Sequence, residues 1–246
     1  MSIKEKIQRD GFKKWLANLL LIKVPLAFVA VTVLWVLILK WVPVLVTPLM
    51  ISRSIEYRSD DSFRTHKKWR SYEKISPEMA KAVIASEDNL FAEHNGFDWK
   101  EMKKAIEDHK KKGKKLRGAS TISQQTAKNV FLWPSRSFVR KAFEAYFTIL
   151  IEWLWGKERI LEVYLNVAEM GKGIYGAEAA AQKFFGKNAA DLNRREASLI
   201  TACLPNPIDR HADKPSQYVN KRAGQIRALI PKLAYPEWIE HQKTPR

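Results

Sequence analysis

An uncharged apolar stretch near the N-terminus constrains this chain more than any other feature. Residues 24–39 contain no charged side chain, and apolar segments at 16–22 and 41–51 flank them. A helix needs about 20 apolar residues to cross a bilayer, so the flanks supply the missing length. Lys23 and Lys40 can extend to the interface, and no small-residue cleavage site follows. We therefore predict a transmembrane helix rather than a cleaved signal peptide.

The cations around this segment predict its orientation. Five lysines and arginines lie in the first fifteen residues, and three lie in the fifteen residues after Ile51. The bias favours a cytoplasmic N-terminus and an exported domain. The formal net charge of +17 indicates anionic partners such as phosphates or lipid head groups. A single cysteine, Cys203, excludes an intrachain disulfide.

The rest of the chain divides by pattern into a connector and one domain. Residues 1–51 read as a cytoplasmic tail and membrane anchor, 52–75 as a polar connector, and 76–246 as a mostly helical domain. No run of alternating strands stands out, so the fold class is mainly α. Besides a helix that begins at Ser76, helices are predicted over about 98–109, 121–132, 137–155, 157–170, 176–185, 193–202 and 215–230. Residues 110–115 are expected to form a basic loop.

The first candidate catalytic residue is Glu87. Ser76 and Pro77 mark a helix start, and Met79, Val83 and Glu87 then recur every four residues on one face. Glu87 therefore extends an apolar stripe, where desolvation raises the pKa of a carboxyl toward that of a useful general base. The alternative is a solvated residue at a fraying helix end.

A second candidate segment is Gly118–Asn129. Hydroxyls and backbone amides cluster at a helix start, which is a natural position for an anion. Thr121 and Gln124 fit a capping box. Capping does not account for the adjacent Gln125 or for the pair Lys128 and Asn129, and these residues suggest binding.

The helix that follows Ser137 is almost entirely apolar, so it should be buried or touch lipid on most sides. Its polar members Lys141, Glu144, Thr148 and Glu152 share one face, which we expect to line water or a cleft. An Arg140–Glu144 pair four residues apart has a simple structural explanation. The functional alternative places a second carboxylate and two cations beside a site.

Together these segments combine carboxylates with cations. Glu87 and Glu144 form the pair of acids typical of glycosidic chemistry. The cations indicate a phosphate-bearing leaving group, because lysine and arginine stabilise charge that develops on phosphate oxygens. The four cations concerned are Lys128, Arg136, Arg140 and Lys141.

This arrangement resembles the monofunctional peptidoglycan glycosyltransferases, membrane-bound enzymes that polymerise lipid II. The family's first motif, Glu-Asp-x-x-Phe-x-x-His-x-Gly, is matched by Glu87, Asp88, Phe91, His94 and Gly96. The second, Gly-x-Ser-Thr-Ile-x-Gln-Gln-x-x-Lys-Asn, is matched from Gly118 to Asn129, the third by Arg140, Lys141 and Glu144, and the fourth by residues 159–166. The resemblance extends from about residue 70 to the end.

The resemblance implies a lysozyme-like glycosyltransferase domain with a smaller hydrophobic lobe that dips into the membrane. Glu87 would be the catalytic base. Glu144 would orient the four cations or help to hold a divalent ion, Mg²⁺ or Mn²⁺, which is the one cofactor that the family suggests. Substrate contacts are expected from Asp88, Phe91, His94, Gly96, Ser120, Thr121, Gln124, Gln125, Lys128, Asn129, Arg136, Arg140 and Lys141.

The resemblance also implies partners and a location. The substrates would be lipid II and the growing glycan chain, and membrane lipid and other cell-wall synthesis or division proteins would be further partners. The location would be the inner membrane, with a single pass and the catalytic domain on the periplasmic or extracellular face. Nucleic acid is not an expected partner of an exported domain.

Two other functions fit parts of the pattern. A lysozyme-like lytic enzyme would share the fold, but cleavage of glycan strands does not need Lys128, Arg140 and Lys141 around the carboxylates. A non-enzymatic anchored protein could bind anionic lipid through residues 110–115, with an affinity that falls steeply with salt.

Overall fold

The computed structural model describes residues 11, 13–112, 120–135 and 137–240. It separates into two compact units, residues 1–42 and 43–246. The predicted mainly α fold with one N-terminal apolar helix is confirmed: helices dominate the described residues, and the strands are short.

The described part of the first unit contains one helix, α1, over Lys13–Trp41. Its segment Leu19–Lys23 is π-helical, and Val24–Trp41 is regular α-helix. Among the described residues, α1 is the one helix that is long and apolar enough to cross a membrane. The helix ends before the apolar flank 42–51, where Pro43 and Pro48 cannot supply backbone donors.

The second unit begins with elements that the sequence did not predict. Helix α2 covers Pro48–Glu56, and Thr47 caps it by accepting a hydrogen bond from the Met50 amide at 3.3 Å. Strand β1 at His66–Lys67 follows, and then a 3₁₀ turn at Tyr72–Lys74. A two-residue strand is too short for a periodic pattern to identify, and α2 crosses residue 51, the predicted boundary between the anchor and the connector.

The remaining helices follow the predicted order, except that a last short helix at Glu237–Glu240 was not predicted. Capping residues fix several starts: Ser76 caps the helix at Pro77–Glu87, Ser137 caps the helix at Phe138–Leu154, and Asn193 forms a capping box with Glu196 at the start of Arg194–Cys203. The helices are α3 Pro77–Glu87, α4 Trp99–Lys112, α5 Ile122–Phe131, α6 Phe138–Leu154, α7 Lys157–Val167, α8 Ala177–Phe185, α9 Arg194–Cys203, α10 Gln217–Leu229 and α11 Glu237–Glu240. Further 3₁₀ turns cover Ala189–Asp191 and Ile230–Lys232.

Two groups of helices build the core of this unit. Helix α9 packs against α3 and α10, and α5 packs against α6 and α7. A three-stranded sheet of order β1-β3-β2 lies beside them, with β2 at Glu169–Gly171 and β3 at Ile174–Tyr175. β3 runs parallel to β1 and antiparallel to β2. The packing of these helices brings the end of α3 next to the start of α5.

Three local expectations differ from the structure. The helix predicted to reach residue 170 ends at Val167, because Glu169–Gly171 pairs with β3 instead. Residues 110–112 of the expected basic loop extend α4, and residues 113–115 lie outside the described residues. Helix α6 is less buried than its composition suggests, since Phe138 and Trp153 are exposed. This exposed surface fits the alternative that the helix touches lipid.

Candidate active site

Glu87 ends a helix that is otherwise almost wholly buried. Met79 and Val83 have no exposed surface, which confirms the predicted stripe, and Glu87 prolongs it into a cleft where it is half-buried. Burial raises the pKa of the Glu87 carboxyl above its ordinary value. Hydrogen bonds from Gln125 and Ser86 and the charge of Arg222 oppose this rise. A raised carboxyl pKa is what general-base catalysis at neutral pH requires, and the role of Glu87 as that base stays a prediction.

The loop after Glu87 is fixed by Asp88. Its carboxylate accepts hydrogen bonds from His94 Nε2 at 2.9 Å and from the Ile122 amide at 2.9 Å. His94 Nδ1 accepts from the Gly96 amide at 3.1 Å, so Nε2 carries the proton. Asp88 thus joins the end of α3 to the start of α5. Phe91 has no exposed surface and anchors the same loop in the core.

Gly96 closes this loop in a conformation that favours glycine. Its φ is +89°, and a Cβ atom there would lie 2.7 Å from Thr148 Cγ2 on α6. Its carbonyl accepts a 2.7 Å hydrogen bond from Thr121 Oγ1. The polar stripe of α6 consequently lies partly beneath the loop instead of facing water, with Glu152 Oε1 accepting from Ser123 Oγ at 2.5 Å.

The predicted capping box at the start of α5 is present. Thr121 Oγ1 accepts from the Gln124 amide, and Gln124 Oε1 accepts from the Thr121 amide at 3.0 Å. Both side chains are buried and engaged with the backbone. The next residue, Gln125, turns instead toward Glu87 and donates through Nε2 to Glu87 Oε2 at 3.1 Å. Tyr164 Oη donates to Oε1 of the same Gln125 amide at 3.4 Å.

The second carboxylate, Glu144, is buried and paired with two cations. Arg140 Nη1 donates to Oε2 at 2.5 Å, and Lys141 Nζ donates to Oε1. Lys141 also contacts Ser120 Oγ at 3.4 Å. Arg140 Nε is buried and has no hydrogen-bond partner among the described residues. The predicted Arg140–Glu144 pair therefore exists. It belongs to a cluster in which Arg140 Nε can still donate a hydrogen bond to a ligand.

Lys128 lies in the electrostatic field of this cluster. Burial lowers the pKa of its ammonium group; the charges of Glu144 and Glu87 favour the charged form, while Arg140 and Lys141 oppose it. An anion that binds here would offset both the burial and the repulsion between cations. Arg136, the fourth predicted cation, lies outside the described residues.

The cleft consists of three adjoining cavities. The largest, about 760 Å³, is lined by Glu87, Gln125 and Lys128. A second, about 510 Å³, shares Glu87 and Ser120 with the first. A third, about 230 Å³, shares Gln125 and Lys128 with the first. Glu87 therefore borders both of the larger cavities, and Lys128 borders the first and the third.

The predicted site residues fall into two groups by position. Those that line the cavities are Glu87, Asp88, Ser120, Thr121, Gln125, Lys128 and Asn129. Phe91, His94, Gly96 and Gln124 lie behind the walls, and Arg140, Lys141 and Glu144 adjoin the cleft through Ser120 and Lys128. The structure brings these segments together around Glu87.

Sequence reasoning missed one wall of the cleft. Tyr218, Lys221, Arg222 and Gln225 of α10 line the largest cavity, and Arg222 Nη2 donates to Ser86 Oγ at 3.3 Å. Their spacing of three or four residues gives one polar helix face opposite the buried Val219, Ala223 and Ile226. That periodicity was the available signal, but it does not say which surface the face meets.

The described side chains do not form a carboxylate cluster for a metal. No group of three or more histidine, cysteine, aspartate or glutamate residues lies together in this part of the chain. Glu144 uses both of its oxygens on Arg140 and Lys141. The side chains that can bind an anion in this cleft are cations. Dependence on a divalent metal stays a prediction.

Comparison with known proteins assigns this chain to a family. The family model described as Transglycosylase matches residues 55–230. The chain is 56% identical to the biosynthetic peptidoglycan transglycosylase of Bacteroides thetaiotaomicron over 82% of each chain. It is 49% identical to the protein of that name from Caulobacter vibrioides, over 87% of this chain and 91% of the other. The Shewanella oneidensis protein is 58% identical over 67% of this chain and 70% of its own length.

Proposed function

This chain belongs to the transglycosylase family, and on that premise we propose that it polymerises lipid II into β-1,4-linked glycan strands. It is a peptidoglycan glycosyltransferase with a mainly α, lysozyme-like domain. The observation that carries the finer proposal is the position of Glu87 at the border of two large cavities, one of which is also lined by Lys128 of the cationic cluster. Two cavities suit two sugar substrates that meet at one carboxylate.

In the proposed reaction Glu87 takes the proton from the 4-hydroxyl of the acceptor sugar. The freed oxygen attacks C1 of the growing chain's terminal sugar, the C1–oxygen bond to the pyrophosphate breaks, and the electron pair leaves on undecaprenyl pyrophosphate. Attack opposite the leaving group inverts the α linkage to β. Gln125 donates to Oε2 at 3.1 Å, and Oε1, which accepts a longer hydrogen bond from Ser86 Oγ at 3.4 Å, is the oxygen proposed to take the proton.

The cations would stabilise the leaving group. Lys128, Arg140 and Lys141 can donate to pyrophosphate oxygens, where negative charge develops as the bond breaks. Ser120 and Gln125 line the same space and can contact the sugars. Asp88, Phe91, His94, Gly96, Thr121 and Gln124 support the site by holding the loop and the start of α5. Asn129 lines the third cavity and is proposed to contact substrate. We include Arg136 with the cations from its motif position.

The lytic alternative fits this site less well. Hydrolysis of a glycan strand develops no phosphate charge, so a lytic enzyme gains nothing from a half-buried Lys128 or from the unpartnered Nε of Arg140. Burying such cations costs free energy that an anionic ligand must offset. The cationic cluster therefore favours polymerisation.

Helix α1 supports a location in the inner membrane as a single-pass protein. The lysine and arginine bias supports a cytoplasmic N-terminus, and the proposed location of the catalytic domain is then the periplasmic or extracellular face. Membrane lipid and other cell-wall synthesis proteins are the proposed partners. Alkaline phosphatase fused after residue 240 should be active in cells, because that enzyme needs export; inactivity with full expression would reverse the orientation.

The decisive experiment incubates the full-length protein with labelled lipid II, wild type beside Glu87→Gln. We expect a lysozyme-digestible polymer from wild type and a rate lower by roughly 10²–10⁴-fold from the variant, the usual contribution of a general base. Comparable polymer from both would reject Glu87 as the base. Shortening of preformed glycan strands without polymer would establish the lytic enzyme instead.

A further inference from the structure

Glu152, in the last turn of α6, contacts groups from three other segments. Its Oε1 accepts a hydrogen bond from Ser123 Oγ on α5 at 2.5 Å and another, at 2.6 Å, from Nζ of Lys157, the first residue of α7. The loop after Glu87 packs on the same side chain, since a Cβ atom at Gly96 would lie 3.0 Å from Glu152 Cγ. One carboxylate therefore joins α5, α6, α7 and the loop.

Lys157 makes a second contact with the loop. Its ammonium lies over the ring of Phe91, 4.7 Å from the ring centroid. A cation over an aromatic face is attracted by the ring's quadrupole, and the attraction strengthens away from water. Phe91 has no exposed surface, and the side chains of Lys157 and Glu152 are 18% and 10% exposed. Ser123, Glu152, Lys157 and Phe91 thus form one largely shielded network.

Helix preferences do not account for the ion pair in this network. Glu152 lies near the C-terminus of α6, the negative end of the helix dipole, and Lys157 lies at the N-terminus of α7, the positive end. Each charge is at the helix end that disfavours it, and their mutual attraction offsets that cost. An apolar pair of similar volume would avoid the cost altogether. Violations of local preference of this kind concentrate at functional sites.

Both ends of the network are close in sequence to the proposed base and its hydrogen-bond donor. Ser123 precedes Gln125 by two residues on α5, and Phe91 follows Glu87 by four residues in the loop. Gln125 Nε2 donates to Glu87 Oε2 at 3.1 Å, so the separation of α5 from the loop determines whether that bond forms. The network joins the same two segments through α6 and α7.

We propose that Glu152 and Lys157 are positioning residues for glycosyl transfer, which hold α5 against the loop so that Gln125 reaches Glu87. The inference rests on the proposed function, because it takes Glu87 as the base. The two residues act through the Gln125–Glu87 hydrogen bond and not by touching substrate. A displacement of about 1 Å in a supporting residue can lower a rate roughly 100-fold. Loss of the network should therefore lower kcat and leave substrate affinity, which depends on the residues that line the cavities, nearly unchanged.

The first test compares the pH profiles of polymerisation by full-length wild type and Lys157→Met. The variant loses the ion pair and the cation over Phe91. We expect kcat to fall roughly 10–100-fold, with KM within about twofold of wild type. The acid limb of kcat/KM should move to higher pH, because Glu87 loses a donor that lowers its pKa. A variant that only unfolds more easily would lose active enzyme without moving the limb, so an unmoved limb overturns the proposal.

Ser123→Ala gives the same test in a milder form, in case Lys157→Met folds poorly. Alanine favours the helix, and only the link from α5 to Glu152 is lost. We expect the acid limb to shift in the same direction, and a limb at the wild-type pH would count against the network. Lys187→Met is the matched control, because Lys187 pairs with Glu196 of α9 at 2.9 Å and both side chains are partly buried. Its profile should match wild type; a shifted limb in the control would show that loss of any ion pair moves it and would overturn the assignment.

A double-mutant cycle tests the route through Gln125. Gln125→Met already removes the amide through which the network acts, so adding Lys157→Met should lower kcat by roughly twofold or less. Independent effects would multiply, and multiplied losses would overturn the proposal. Failure of the proposed function looks different: wild type would make no polymer, or Glu87→Gln would polymerise as fast as wild type, regardless of the effect of Lys157→Met.

Discussion

Gln125 Nε2 lies 3.1 Å from Glu87 Oε2 and donates a hydrogen bond to it. Nε2 also donates to the Ser120 carbonyl at 3.4 Å, and these two acceptors, which cannot donate, select the amide orientation. Tyr164 Oη then donates to Gln125 Oε1 at 3.4 Å. The hydrogen bond from Gln125 favours the charged form of Glu87 against the desolvation that disfavours it. Two opposing effects therefore set the pKa of Glu87, and changing either one should shift that pKa.

Replacing Gln125 with methionine should move the acid limb of kcat/KM to higher pH. The variant loses the donor that lowers the Glu87 pKa, and burial continues to raise it, so the base becomes protonated at higher pH. The measurement is the pH profile of polymerisation. Gln182→Met is a matched control, because Gln182 donates to Glu178 away from the cleft, at 2.7 Å. An unmoved limb in Gln125→Met would reject the coupling.

Glu87→Gln should stabilise the fold at neutral pH while it removes activity. Because the folded-state pKa of Glu87 is raised, its contribution to stability is fully present below the ordinary value of 4.5 and is lost as pH rises through the folded-state pKa. Glutamine imitates the protonated form at every pH. The difference in unfolding free energy between variant and wild type should therefore grow across that window and then level off. A pH-independent difference would show that Glu87 is not desolvated.

Local patterns accounted for much of this site. The caps at Ser76 and Thr121 and the stripe that ends at Glu87 depend on residues three or four apart, which sequence spacing captures directly. The meeting of Ser86 with Arg222 joins residues 136 positions apart, and no local periodicity contains it. The role of Glu152 beneath the loop was missed for the same reason, since its partner Ser123 belongs to another helix.

Gly96→Ala should cost more stability than the same change at another glycine with positive φ. At Gly96 the new Cβ meets Thr148 Cγ2 at 2.7 Å, whereas at Gly186, with φ +65°, nothing lies within 4 Å. Gly186→Ala should cost about 1 kcal/mol from backbone strain alone, and Gly96→Ala roughly 2–4 kcal/mol because packed side chains must also move. Denaturant titration measures both. Equal losses of stability in the two variants would mean that the α6 side chains move away from the new methyl group at no cost.

Lys141→Ala tests whether the cationic cluster binds the leaving group. A charge-assisted hydrogen bond contributes about 1.5–3 kcal/mol, so kcat/KM for lipid II should fall by roughly 10–100-fold. Part of the loss should appear in substrate affinity, because the pyrophosphate is present before the bond breaks. Lys104→Ala is the control: Lys104 also pairs with a glutamate three residues away, Glu101 at 3.4 Å, but its side chain is exposed on α4. If Lys141→Ala leaves lipid II affinity at the wild-type value, its ammonium serves Glu144 alone and the pyrophosphate must rest on Lys128 and Arg140.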